Sequence, residues 1–195
     1  GKNKLLWARL STMYATNASG NFFLPEPDDE VVVGFMNEDP GHPIILGGVY
    51  GERHKPPYEY EAKNNMKAIV TREKMRIEFN EEKKVVTIST PGKNTVEISD
   101  GDKHIKLTDQ NKNEIVMNSS GISLSSAKDI TLKAKGAITM DATSKFSATA
   151  KQDVSLEGLN VNMQAKVSAV VKGNAKAELS ASGQTIVKGA MVMIN

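Results

Sequence analysis

The sequence has no cysteine, so neither disulfide staples nor thiolate metal sites are available to it. Aromatic residues are scarce: five Phe, four Tyr and one Trp among 195 residues. Large rings bury the most apolar surface per residue, so this chain has little with which to fill a thick core of its own. A thin structure, or a core completed by other copies, follows. Long apolar runs are missing too; the longest is Ala190 to Ile194, far short of the ~20 residues of a membrane-spanning helix. No charged-then-apolar leader opens the chain. It starts on Gly1 rather than Met, so a fragment of a longer protein is expected. Blocks of one charge sign are absent, because 25 basic and 23 acidic residues are interspersed for a net +2. That mixture argues against a nucleic-acid patch or a polybasic membrane anchor.

What is present is strand and turn. In residues 1–50, strands are expected at Leu5 to Leu10, Asn21 to Leu24, Glu30 to Met36 and Ile44 to Tyr50. Turn chemistry separates them: Asn17-Ala18-Ser19-Gly20, Pro25-Glu26-Pro27-Asp28-Asp29 and Asn37-Glu38-Asp39-Pro40-Gly41. Short strands without a helical period indicate a small all-β barrel or part of one. Residues 51–67 form a connector around Pro56-Pro57, a pair that favours extended, semi-rigid geometry.

Residues 68–121 continue as strands with alternating apolar pairs: Ile77/Phe79, Val86/Ile88, Val96/Ile98, Ile105/Leu107 and Ile115/Met117. The interval between pairs wanders between nine and ten residues, which reads as a loose base. In residues 122–195 the spacing locks at eight. Ile122, Ile130, Ile138, Phe146 and Val154 are each followed two residues later by Leu124, Leu132, Met140, Ala148 and Leu156. One residue drops out and the register resumes at Val161/Met163, Ala169/Val171, Ala177/Leu179 and Thr185/Val187. A strand's side-chain period of two places both members of a pair on one face. The next residue is polar in every unit (Ser125, Lys133, Asp141) and the one after it small (Ser126, Ala134, Ala142), as a sharp corner requires. Fixed-period self-similarity marks a repeat architecture in which each unit buries its face only against neighbours. The period excludes a heptad coiled coil. One chain coiling over three units, or three chains each giving one face per layer, would both close a triangular section. The thin apolar stripe suits three chains.

The stretches Trp7-Ala8-Arg9, Phe22-Phe23-Leu24-Pro25-Glu26, Asp29-Glu30-Val31-Val32-Val33-Gly34-Phe35 and Pro43-Ile44-Ile45-Leu46-Gly47-Gly48-Val49-Tyr50 resemble the OB-fold domain of VgrG-type spike proteins. With Lys55-Pro56-Pro57-Tyr58, the repeat and the ending Met191-Val192-Met193-Ile194-Asn195, the chain is similar to the central spikes of contractile injection systems, the phage-tail-like extracellular type above all. The resemblance implies an all-β OB-fold barrel followed by an intertwined, trimeric, triple-stranded β-helix needle. It implies a homotrimer, a baseplate hub and tail tube reached through an N-terminal domain this chain lacks, and a PAAR-repeat tip protein at the C-terminal end. Effector cargo and assembly in the bacterial cytoplasm, with release or translocation into a target cell on contraction, belong to the same expectation.

No catalytic role, cofactor or metal is expected. His42, His54 and His104 are scattered through turns and read as surface residues. Asp28, Asp29 and Glu30 read as a turn into the Val31-Val32-Val33 strand, and Phe22 and Phe23 have an acidic flank unsuited to single-stranded nucleic acid. The C-terminal end differs. The second position of the repeat is polar below (Ser123, Thr131, Thr139) but becomes Ile186 and Ile194 near the end. Together with Met191, Val192, Met193 and Asn195 these residues are the expected partner-docking tip. Two competing readings are a β-solenoid adhesin or phage-fibre stalk, which should carry a receptor-binding head, and a trimeric depolymerase, which should show clustered carboxylates. Asp141 and Glu157 sit alone in the polar phase of the repeat.

Overall fold

A computed structural model describes residues 6–194. They fall into two units, Gly1–Lys133 and Ala134–Asn195. Among the described residues every regular element is a strand, apart from one 3₁₀ turn at Met36–Glu38.

In the first unit β1 (Arg9–Leu10) lies parallel to β5 (Pro43–Gly48), which pairs antiparallel with β4 (Val31–Phe35). β4 carries the β-branched run Val31-Val32-Val33, a composition that suits a pleated surface. The register slips between Val32 and Val33, a bulge that bends the strand. Leu5 of the expected opening strand lies outside the described residues, and only Arg9–Leu10 pair. The expected strand Asn21 to Leu24 does not form. Instead β2 (Ala15–Thr16) and β3 (Ser19–Gly20) make a small hairpin around Asn17-Ala18. Asn21 adds one more bond, its N–H donating to the Tyr14 carbonyl at 2.9 Å. Beyond it no segment of the described residues pairs with Phe22-Phe23-Leu24. Side-chain propensity was right for a strand, but a strand also needs a neighbour to bond.

The larger element is a seven-stranded antiparallel meander in sequence order: β6 (Met66–Val70), β7 (Arg76–Asn80), β8 (Val85–Ser89), β9 (Thr95–Ser99), β10 (His104–Thr108), β11 (Glu114–Asn118) and β12 (Gly121–Ser125). Three of its hairpin turns are built alike. In each, the fourth residue donates its N–H back to the first: Lys74, Lys93 and Lys112 to the carbonyls of Thr71, Thr90 and Asp109 at 2.9, 2.9 and 3.0 Å. The N–H groups of Thr71, Thr90 and Asp109 in turn reach the carbonyls of Met75, Asn94 and Asn113. The three turns begin at residues 71, 90 and 109, so the meander repeats every 19 residues. A nine-residue and a ten-residue step make one such period, which is why the spacing of the apolar pairs alternates.

In the second unit the eight-residue repeat forms no strand within the chain: no residue after Ser125 among those described pairs in a ladder, and those from Ala134 onward are exposed. The accessible surface of the chain is 19128 Å². A folded monomer of 21.1 kDa should expose about 9,000 Å² and hide roughly 70% of its extended surface, whereas this chain hides roughly 40%. Among the described residues no hydrophobic side chain is fully buried. The described residues of one chain alone have no core.

Candidate functional site

The strand registers of the meander generate the site. Reading partners across all seven strands gives one row of Ile69, Ile77, Ile88, Val96, Leu107, Ile115 and Leu124. Two residues along, a second row on the same face runs Lys67, Phe79, Val86, Ile98, Ile105, Met117 and Ile122. Each apolar pair singled out by alternation therefore lies on one face, joined there by Ile122/Leu124 of the first repeat unit. At ~4.8 Å per strand the rows are about 29 Å long. A single Lys interrupts them.

This face is open. Ile69, Ile77, Phe79, Ile88, Ile98, Ile105, Leu107 and Ile115 each leave between 37% and 48% of their surface exposed. A contiguous aliphatic strip of that size marks an association surface rather than scattered surface residues. The opposite face needs no partner. Its middle row runs Glu78, Thr87, Glu97 and Lys106, and its charges are matched locally: Arg76 to Glu78 at 3.1 Å, His104 to Glu97 at 2.7 Å and Lys106 to Glu114 at 2.8 Å. A sheet wetted on one face and apolar on the other buries the apolar one.

The expected tip residues are placed at the C-terminal end of the second unit. Ile186, Met191, Val192, Met193 and Ile194 are all exposed, Ile194 at 91%; Asn195 lies outside the described residues. The histidines each find a carboxylate, His42 with Asp39 at 2.9 Å and His54 with Asp29 at 4.0 Å. Asp29 also accepts the Glu26 N–H at 2.8 Å, which fits its reading as a turn residue. His104 belongs to a group that sequence spacing did not reveal. Ligand atoms of Glu97, Asp102 and His104 lie within 4.8 Å of one another, because the β9–β10 hairpin folds 97 beside 104. Asp102 Oδ2 accepts from the Ser99 hydroxyl at 3.2 Å and Glu97 holds His104, so protein partners complete the group.

One carboxylate is electrostatically distinct. Asp109 is held below the ordinary carboxylate value of 3.8, above all by the Asn113 backbone N–H; desolvation opposes it as the next largest effect, and the Asn113 and Asn111 side-chain amides and the Asn111 N–H add to the lowering. Its Oδ1 accepts both backbone N–H groups at 2.8 Å. It closes a turn.

No helix of the described residues is long and apolar enough to cross a membrane. Two family models match the chain: the type VI secretion system/phage-baseplate injector OB domain over residues 1–50, and the phage baseplate V C-terminal trimerisation domain over residues 85–195. Among curated relatives, the type VI secretion system spike protein VgrG1a of Pseudomonas aeruginosa is 38% identical over 61 residues, 31% of this chain and 10% of that protein. The spike protein VgrG1c of the same organism matches at 38% over 31% of this chain and 8% of its own length. The actin cross-linking toxin VgrG1 of Vibrio cholerae is 40% identical over 27% of this chain and 5% of its own. The chain thus spans a tenth or less of these relatives. With the trimerisation match covering more than half of the 195 residues, the chain belongs to the phage baseplate V trimerisation family and resembles VgrG-type spike proteins.

Proposed function

We propose that this chain is the structural central spike of a contractile injection machine, a rigid homotrimeric needle that links a baseplate hub to a tip protein and helps puncture a target envelope. The observation that carries this reading is the open pair of aliphatic rows on the meander, continued in phase by the repeat. Three copies packing these rows inward would supply the core that one chain lacks. Residues 1–50 are then an OB-fold domain, 51–67 a connector and 68–195 the spike, with a looser base to 121 and a regular shaft from 122. In the shaft, strands from the three chains alternate as a triple-stranded β-helix, and their ladders run along the axis with no lateral edge exposed. The work is mechanical, so neither catalytic group nor cofactor enters it.

The apolar end at Ile186 and Met191 to Asn195 is the mount for a PAAR-type tip protein, while hub, tail tube and any effector cargo engage elsewhere. The particle assembles in the bacterial cytoplasm and passes outward on contraction. Two measurements test this. Solution mass should give three copies, and a monomer at micromolar concentration would sink the needle. Deleting Met191 to Asn195 should abolish capture of a PAAR-repeat protein while leaving the trimer; undiminished capture would remove the docking claim.

A further inference from the structure

We propose that the edge of the meander carrying Lys74, Lys93 and Lys112 is a docking strip for an anionic lipid surface. The strip is set by the turn geometry of one chain. These three lysines occupy the same place in the three like-built turns beginning at 71, 90 and 109. Those turns lie two strands apart along one edge, so the ammonium groups are strung at about 10 Å intervals.

Each lysine stands at a positive φ: 64° for Lys74, 66° for Lys93 and 67° for Lys112. Left-handed backbone suits Gly or Asn and strains other L-residues. Lys84 and Lys103 stand at positive φ in the turns of the opposite edge as well, but there Glu81, Glu82, Asp100 and Asp102 outnumber Lys83, Lys84 and Lys103. None of Lys74, Lys93 and Lys112 is ion-paired among the described residues, whereas Arg72 on the same edge is tied to Glu26 at 2.8 Å and Glu73 at 3.3 Å. Asp109 is hydrogen-bonded by Asn111 and Asn113 and keeps its negative charge. The three turns together carry Arg72, Lys74, Lys93 and Lys112 against Glu73 and Asp109, four positive charges to two negative.

The chemistry of the strip selects the partner. The turns carry no aromatic ring on which a base could stack, and their free cations are ammonium point charges rather than the guanidinium forks that read base edges. Point charges in a line suit a surface of mobile monovalent phosphate headgroups, each lysine near such a surface adding about 1 kcal/mol.

The test uses the full chain with phosphatidylglycerol-containing and pure phosphatidylcholine vesicles in a co-sedimentation assay. The chain should adsorb only to the anionic vesicles and release as salt is raised. Replacing all three lysines by Gln should weaken binding about 10²-fold. The triple Gly variant should lose binding equally, and because Gly relieves the backbone there, unfolding cannot explain that loss. Lys133→Gln, Lys145→Gln and Lys151→Gln together remove the same charge from the repeat and should retain binding. Equal loss in this control, indifference to lipid charge, or tighter binding to single-stranded DNA than to vesicles would overturn the proposal.

Discussion

Truncating Leu107 to Ala tests the assembly surface at its centre, because Val96 and Ile115 flank it in the first aliphatic row. Fully burying a Leu side chain is worth ~1.5–3 kcal/mol. In the single chain Leu107 keeps 37% of its surface exposed, so association contributes about 1 kcal/mol of that per copy. Symmetry multiplies the term: three copies lose about 3 kcal/mol together, a factor of about 10² in the assembly constant. Any cavity the packing fails to close adds to it. A guanidinium chloride titration followed by sedimentation velocity reads both dissociation and unfolding, and Leu107→Ala should move the midpoint down by a few tenths of a molar. Thr87→Ala is the control. It sits between Glu78 and Glu97 on the polar face and should change stability by less than about 0.5 kcal/mol. Equal midpoints for Leu107→Ala and the unmutated chain would refute the claim that this face is buried by association.

Three further outcomes follow from the backbone and its charges. Gly121 stands at φ 117°, so Gly121→Ala should destabilise the β11–β12 hairpin by ~1–3 kcal/mol, read as a lowered denaturation midpoint. Lys93→Gly at φ 66° should instead leave stability level or raise it by up to ~1 kcal/mol in the same assay, the relief of left-handed strain set against the greater entropy of Gly. For Asp109 the folded pKa is lowered, so the turn bonds it accepts are intact above the ordinary carboxylate value. They are lost as pH falls through the lower folded one. NMR shifts of the Asn111 and Asn113 amides should accordingly hold steady through mildly acidic solution and move only in strong acid, while Asp109→Asn removes that titration.

The face of the meander was legible because alternation is a local signal: Ile77/Phe79 needs no knowledge of its partner to be placed on one side. The five-residue strands Thr95–Ser99 and Glu114–Asn118 are bounded by sharp turns on both sides. β6 was harder. Met66, Lys67 and Ala68 break the apolar alternation, and the strand exists because β7 offers it a ladder. The 19-residue period was present in the sequence all along, in Ile77, Val96 and Ile115 and in Val86 and Ile105. It hides when hairpins are compared with their neighbours, since successive strands run in opposite directions and only alternate ones are equivalent. The grouping of Glu97, Asp102 and His104 depends on a diagonal across a hairpin, which spacing in the chain does not encode.

The change of rule at Gly121 explains why the first repeat unit forms a strand and the later ones do not. Up to that residue the chain reverses at every turn, and each of the five long meander hairpins contains a lysine at positive φ: Lys74, Lys84, Lys93, Lys103 and Lys112. Beyond Gly121 no described residue has a positive φ. A tight hairpin whose twist matches its strands needs such residues, so the repeat advances without folding back. The remaining way to pair within one chain is to coil, bringing each unit beside the third one after it. No ladder of that kind joins the described residues after Ser125. Yet Ile122 and Leu124 lie in the two apolar rows of the meander, and one edge of β12 is bonded to β11 while its other edge has no strand beside it. The backbone groups on that free edge, and on every unit above it, must find partners to satisfy them out of water. A chain that neither reverses nor coils offers no such partners of its own, which supports the proposed association with other copies, the apolar rows then fixing which side of each incoming strand turns inward.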